Sequence, residues 1–192
     1  MEALATLGRT LGFSLAAGVN LYATVAILCL AQRFGWVTLP EPFKVFDHDW
    51  VIAAAGVLYV IEFVADKVPW VDSMWDAVHT VIRPVGGALI AVASLGDAGP
   101  AVTGVIALVG GAVAASSHVT KAGTRVAANT SPEPFSNWLL SLAEDAFVIG
   151  LSFITLNYPR LALGLSAVIL LAILLTARSI WTWLRKKQPS AA

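Results

Sequence analysis

Leu161–Leu184 reads LALGLSAVILLAILLTARSIWTWL, an apolar run whose one charge is Arg178. A helix needs about 20 apolar residues to cross the hydrocarbon core of a bilayer. This stretch meets that length and is the cleanest span in the chain. In lipid every backbone polar group must be bonded within the spanning structure, so a run of this kind is a helix. It sets the class as an all-α integral membrane protein, and the rest of the chain follows the same pattern.

Working back from it, Leu139–Leu156 is apolar but carries Glu144 and Asp145. Ala101–Ala115 is followed by Ser116, Ser117 and His118, and Val78–Leu95 is interrupted by Arg83-Pro84. Val51–Val64 is shorter and holds Glu62, while Leu11–Leu30 has Asn20 as its one strongly polar residue. These make six expected membrane helices. Leu11–Leu30 is too long for a cleavable leader and is read as a retained helix.

Composition agrees. Of 192 residues, 58% are hydrophobic and 12% charged, and mean hydropathy is +0.79. Soluble domains are about 25% charged. Twelve basic residues balance twelve acidic ones, which argues against nucleic acid as a partner. The single cysteine, Cys29, excludes a disulfide within the chain. Trp36, Trp50, Trp70, Trp138, Trp181 and Trp183 fall near expected helix ends, where aromatic side chains anchor at the membrane interface. The basic cluster Arg185, Lys186, Lys187 marks the cytoplasmic side, so six crossings put both termini there, the chain closing on a short polar tail, Gln188–Ala192.

Two tetrapeptides match, Pro40-Glu41-Pro42-Phe43 and Pro132-Glu133-Pro134-Phe135. Around them Ala16-Ala17 corresponds to Ala114-Ala115, Tyr59-Val60-Ile61 to Phe147-Val148-Ile149, and Pro69 to Pro159, at offsets of 88 to 98 residues. The expectation is a duplication, 1–98 and 99–192, of a three-helix unit. An odd number of crossings inverts the second copy, as in many secondary transporters, whose sites lie at the midplane where broken helices meet. Asn20 and His118 are equivalent positions. Gly18 and the pair Gly110-Gly111 would permit the breaks; glycine pairs also serve close helix packing.

Ionisable residues within spans are costly and face the bundle interior or water. Glu62 and Asp66 share one helical face. Asp72, Asp76, His79 and Arg83 form one stripe; His118, Lys121 and Arg125 form another. Glu144 and Asp145 are adjacent and point in different directions. These acids and histidines could bind a divalent cation, with Glu62, Asp76, His79 and Glu144 as metal candidates, since carboxylate oxygens suit hard ions. They could equally relay protons. Lys67, Arg83, His118, Lys121 and Arg125 could instead hold a lipid phosphate. The charges could also simply pair to tie helices together, Arg83 with Asp76 or Glu144, Pro84 freeing a carbonyl nearby.

The chain resembles a family of small bacterial membrane proteins described only as a domain of unknown function. The resemblance covers most of the chain. It rests on Ala17-Gly18-Val19-Asn20-Leu21-Tyr22, on Glu62-Phe63-Val64-Ala65-Asp66-Lys67-Val68-Pro69, on Asp72 with Trp75-Asp76, and on Arg83-Pro84 followed by glycines. It implies a polytopic protein of the bacterial inner membrane and no established activity. A fainter similarity links it to cation exchangers with a Glu-x-Gly-Asp-Lys/Arg motif in each half. Glu62 and Asp66 are spaced four apart where that motif has three, and Glu144-Asp145 stands in the second half, so that family's site is not carried over.

The expectation is a small transporter, cation- or proton-coupled, embedded in the lipid bilayer as a homodimer. The alternatives are a transporter or flippase of a phosphate-bearing lipid and a non-transporting helix-bundle assembly protein. An enzyme is least favoured, because no nucleophile stands at useful spacing from a base.

Overall fold

The computed structural model describes residues 2–129 and 134–187, and all regular structure there is helical. The helices are α1 (Glu2–Val19), α2 (Leu21–Arg33), α3 (Asp49–Ala65), α4 (Pro69–Leu95), α5 (Pro100–Asn129), α6 (Pro134–Asn157) and α7 (Pro159–Lys187), with a 3-10 helix, Glu41–Asp47, before α3. The tail Gln188–Ala192 and Pro132-Glu133 of the second tetrapeptide lie outside the described residues.

Proline opens four of these helices, at positions 69, 100, 134 and 159. The first helical residue has no use for its N–H, and proline's fixed φ suits it. Pro84 sits inside α4 without ending it. Four helices, α4 to α7, are long and apolar enough to cross a membrane. The 3-10 helix and α3, bent by 69° to each other, make a fifth if they form one span. The sixth expected span, Leu11–Leu30, is two helices, α1 and α2, parted at Asn20, neither of which qualifies alone.

That departure has a physical cause. Helix α1 packs against α4, α5, α6 and α7, and every residue from Gly12 to Val19 is buried. It is solvated by protein, not lipid, so it can carry Thr10 and Ser14, both 0% exposed. The outer helices show the opposite pattern. Val57, Val81, Leu89, Leu108, Phe153, Val168 and Leu174 are well exposed, while Arg83, Glu62 and Arg125 are buried. Charge inside and aliphatic side chains outside suit a multi-pass protein in a lipid bilayer.

Small residues let the inner helices approach. A Cβ on Gly87 would lie 2.4 Å from the Ala114 Cβ, and one on Gly110 would lie 2.3 Å from the Ala91 Cβ. The pair Gly110-Gly111 therefore seats α5 on α4, and α5 runs unbroken through it and through His118. The break expected there does not occur; the break at Asn20 does. The two matched phenylalanines also differ: Phe43 is fully buried beside Phe13, and Phe135 is 71% exposed.

Candidate functional site

Asn20 is the one extended residue between α1 and α2, at φ −146° and ψ 100°. Its side-chain oxygen accepts from the Ala23 N–H at 2.9 Å and so caps α2. The last carbonyls of α1 lose their helical partners at the break. One of them, Gly18 O, accepts from Arg83 Nη1 at 3.3 Å. The carbonyl expected near Pro84 is thus supplied by α1 instead. Asn20 Nδ2 donates to Asp145 Oδ1 at 3.2 Å, joining the break to α6.

Arg83 is fully buried and central. Its Nη2 is 2.7 Å from Glu62 Oε1, its Nη1 3.3 Å from Asp76 Oδ1 and 2.8 Å from His118 Nδ1. Because the guanidinium only donates, His118 Nδ1 accepts, and Nε2 carries the proton toward Thr80 Oγ1 at 3.1 Å. The Thr80 hydroxyl in turn donates to Asp76 O at 3.0 Å. His79 has the other tautomer: Nδ1 donates to Trp75 O at 2.7 Å, and Nε2 accepts from the Tyr22 hydroxyl at 2.9 Å.

A second cluster continues toward the end of α3. Lys121 Nζ stands 3.3 Å from Asp66, 3.4 Å from Glu62 and 3.5 Å from Glu144. Arg125 reaches Asp66 Oδ2 at 3.0 Å, Glu144 Oε2 at 2.5 Å and Asn137 Oδ1 at 2.9 Å. Asp72 Oδ2 accepts from Asn129 at 3.2 Å, and Lys67 Nζ donates to Ser141 at 3.2 Å.

Both expected stripes therefore face inward and meet. Asp72, Asp76, His79 and Arg83 on α4, and His118, Lys121 and Arg125 on α5, are each at most 5% exposed. Glu62 joins them from α3 and Asp66 from the cap that follows it, Glu144 and Asp145 from α6. Arg83 takes Glu62 and Asp76 as partners; Glu144, the other expected partner, belongs to Arg125 and Lys121. Among the described residues no three of His, Cys, Asp and Glu stand close enough to hold a metal ion together. Of the metal candidates, Glu62 and Glu144 face cationic side chains, and both ring nitrogens of His79 are hydrogen-bonded.

Asn137 and Ser141 escaped the sequence reading. Both are buried, at 2% and 0% exposure. Their spacing to Glu144, four then three, makes a third polar stripe on α6 and was the available signal.

Asp76 differs from the other five acids. Neither of its oxygens has a hydrogen bond, since the contact with Arg83 is close but not aligned for one. It lines a cavity of about 210 Å³ between α4 and α5 with Ser73, Thr80 and Arg125. On the far side of the network a groove of about 270 Å³ opens between α1, α5, α6 and α7, with Lys121 and Glu144 on its wall.

A family model described as Domain of unknown function (DUF4126) matches residues 7–179. No curated protein and no solved structure matches the chain.

Proposed function

We propose that this chain, which belongs to the family described as Domain of unknown function (DUF4126), is a small membrane transporter coupled to protons through its buried carboxylates. The observation that carries this reading is Asp76. It is a buried carboxyl with no hydrogen bond, beside a cavity, and in contact with the arginine that also holds Glu62 and the broken helix. A proton can be added to or taken from Asp76 without breaking a hydrogen bond, and Arg83 then leans toward or away from Glu62 and Gly18 O. Six carboxylates, Glu62, Asp66, Asp72, Asp76, Glu144 and Asp145, face four cations, Lys67, Arg83, Lys121 and Arg125. That imbalance supports protons or cations as the coupled species over a phosphate.

Counting α1 with α2 as a broken span gives six crossings in the bacterial inner membrane, with both termini cytoplasmic. The halves 1–98 and 99–192 then form an inverted repeat. Contact of Arg83 with both Gly18 O and His118, which flank or occupy the equivalent positions, supports it. A homodimer would complete so thin a bundle. A second reading, a helix-bundle assembly protein, draws on the mutual pairing of nearly every buried charge.

Proteoliposomes with an imposed pH gradient and an internal pH dye test the proposal against alkali cations, divalent cations and amines. At least one should collapse the gradient through the protein, and Asp76→Asn should abolish this while exposed Asp97→Asn does not. A folded protein with which none of these collapses the gradient would overturn the transporter reading in favour of assembly.

A further inference from the structure

The groove between α1, α5, α6 and α7 has walls of one chemistry and an edge of another. Val19, Phe147, Ile169 and Ile173 make an apolar channel open to the face that lipid covers. Along one side run Ser117, Thr120 and Thr124, spaced three and four on α5, with Glu144 opposite on α6.

The polarity of that edge follows from where its protons go. The Ser117 hydroxyl donates to Leu15 O at 3.0 Å, Thr120 to Ser116 O at 2.9 Å and Thr124 to Thr120 O at 2.5 Å. Each hydroxyl has spent its one proton on a backbone carbonyl, so what it offers the groove is lone pairs. Glu144 also only accepts, and its side chain, 11% exposed, is the most open carboxylate of the network. Lys121, the one cation among the groove's described lining residues, donates to Glu62 and Asp66 and pairs with Glu144 at 3.5 Å. The groove therefore presents acceptors and no free donor, above a network in which acids outnumber bases.

We infer that this groove binds a lipophilic ammonium: an apolar body lying along Phe147 and Ile169, with its N–H groups on Thr120, Thr124 and Glu144, entering sideways from the bilayer. This names a substrate class for the transporter proposed above and rests on that reading for its role, though not for the binding itself. A phosphate head, which only accepts, would meet the acceptors Thr120, Thr124 and Glu144 and a Lys121 already held by carboxylates.

Isothermal titration of the protein in nanodiscs, against empty nanodiscs, tests it with hexylammonium, hexyl phosphate and hexanol. Hexylammonium should bind saturably and the other two should not. Thr120→Val with Thr124→Val removes lone pairs at two exposed positions, leaves every ion pair intact, and should weaken hexylammonium about tenfold with the melting temperature unchanged. Equal or tighter binding of hexyl phosphate, no saturable binding of hexylammonium, or an undiminished affinity in the double variant would overturn the assignment. Because no proton gradient is involved, binding without transport would sink the coupled-transporter reading and leave the groove standing.

Discussion

Arg83 Nη2 lies 2.7 Å from Glu62 Oε1, and both side chains are 0% exposed. Removing one member of such a pair leaves a buried charge uncompensated, at a cost of about 3–5 kcal/mol. Arg83→Met and Glu62→Met should each destabilise the protein by about that much. Arg83→Met with Glu62→Met should cost clearly less than the two single changes added together. Chemical unfolding in detergent, run as a double-mutant cycle, checks the sign of the coupling.

Asn20 carries two jobs that separate by substitution. Asn20→Ala loses the cap of α2, worth about 1 kcal/mol, and the one hydrogen bond that reaches Asp145 among the described residues. Leaving that acceptor bare adds about 1–3 kcal/mol. Asn20→Ser keeps a capping oxygen and should recover the first part only. Amide exchange at Ala23 reports the cap, and the unfolding midpoint reports the sum.

Close approach of α4 and α5 depends on glycine at particular places. Gly87→Ala would set a methyl 2.4 Å from the Ala114 Cβ and should cost about 1–3 kcal/mol. Gly104→Ala, with nothing within 4 Å, should stay within about 0.5 kcal/mol of the parent. Equal melting temperatures for the two variants would contradict the packing described.

How far the sequence could be read depended on what lipid forbids. Charges survive in a span only where they face inward, so spacing alone placed Asp72, Asp76, His79 and Arg83 on one buried face. The break at Asn20 was legible because a strongly polar residue with Gly18 beside it interrupts an apolar run. Partner choice was not: Arg83 takes Glu62 and not Glu144 because of how α3 and α6 dock, which no local pattern encodes. Gly110-Gly111 looked like a break and proved to be a contact surface, since a glycine pair serves either use. Leu11–Leu30 is two helices that do not qualify as spans by length and composition, and α1 is wrapped by protein, so its composition no longer reports on lipid.

Asp76 has no hydrogen bond to lose, unlike Asp66 or Glu144, which each accept from Arg125. Asp76→Asn loses the ion pair with Arg83 but no hydrogen bond, so it should cost less stability than Asp66→Asn, which breaks buried ion pairs with Lys121 and Arg125 together with their hydrogen bonds. Thermal melts of the two variants side by side give the comparison.

The most direct measurement is an infrared pH titration of the protein in nanodiscs, following the carboxyl C=O stretch of protonated acids shielded from water. A band that titrates reversibly in the parent protein and vanishes in Asp76→Asn is the expected result. An identical titrating band in Asp76→Asn, or no titrating buried carboxyl at all, would contradict the claim that this residue carries the coupled proton.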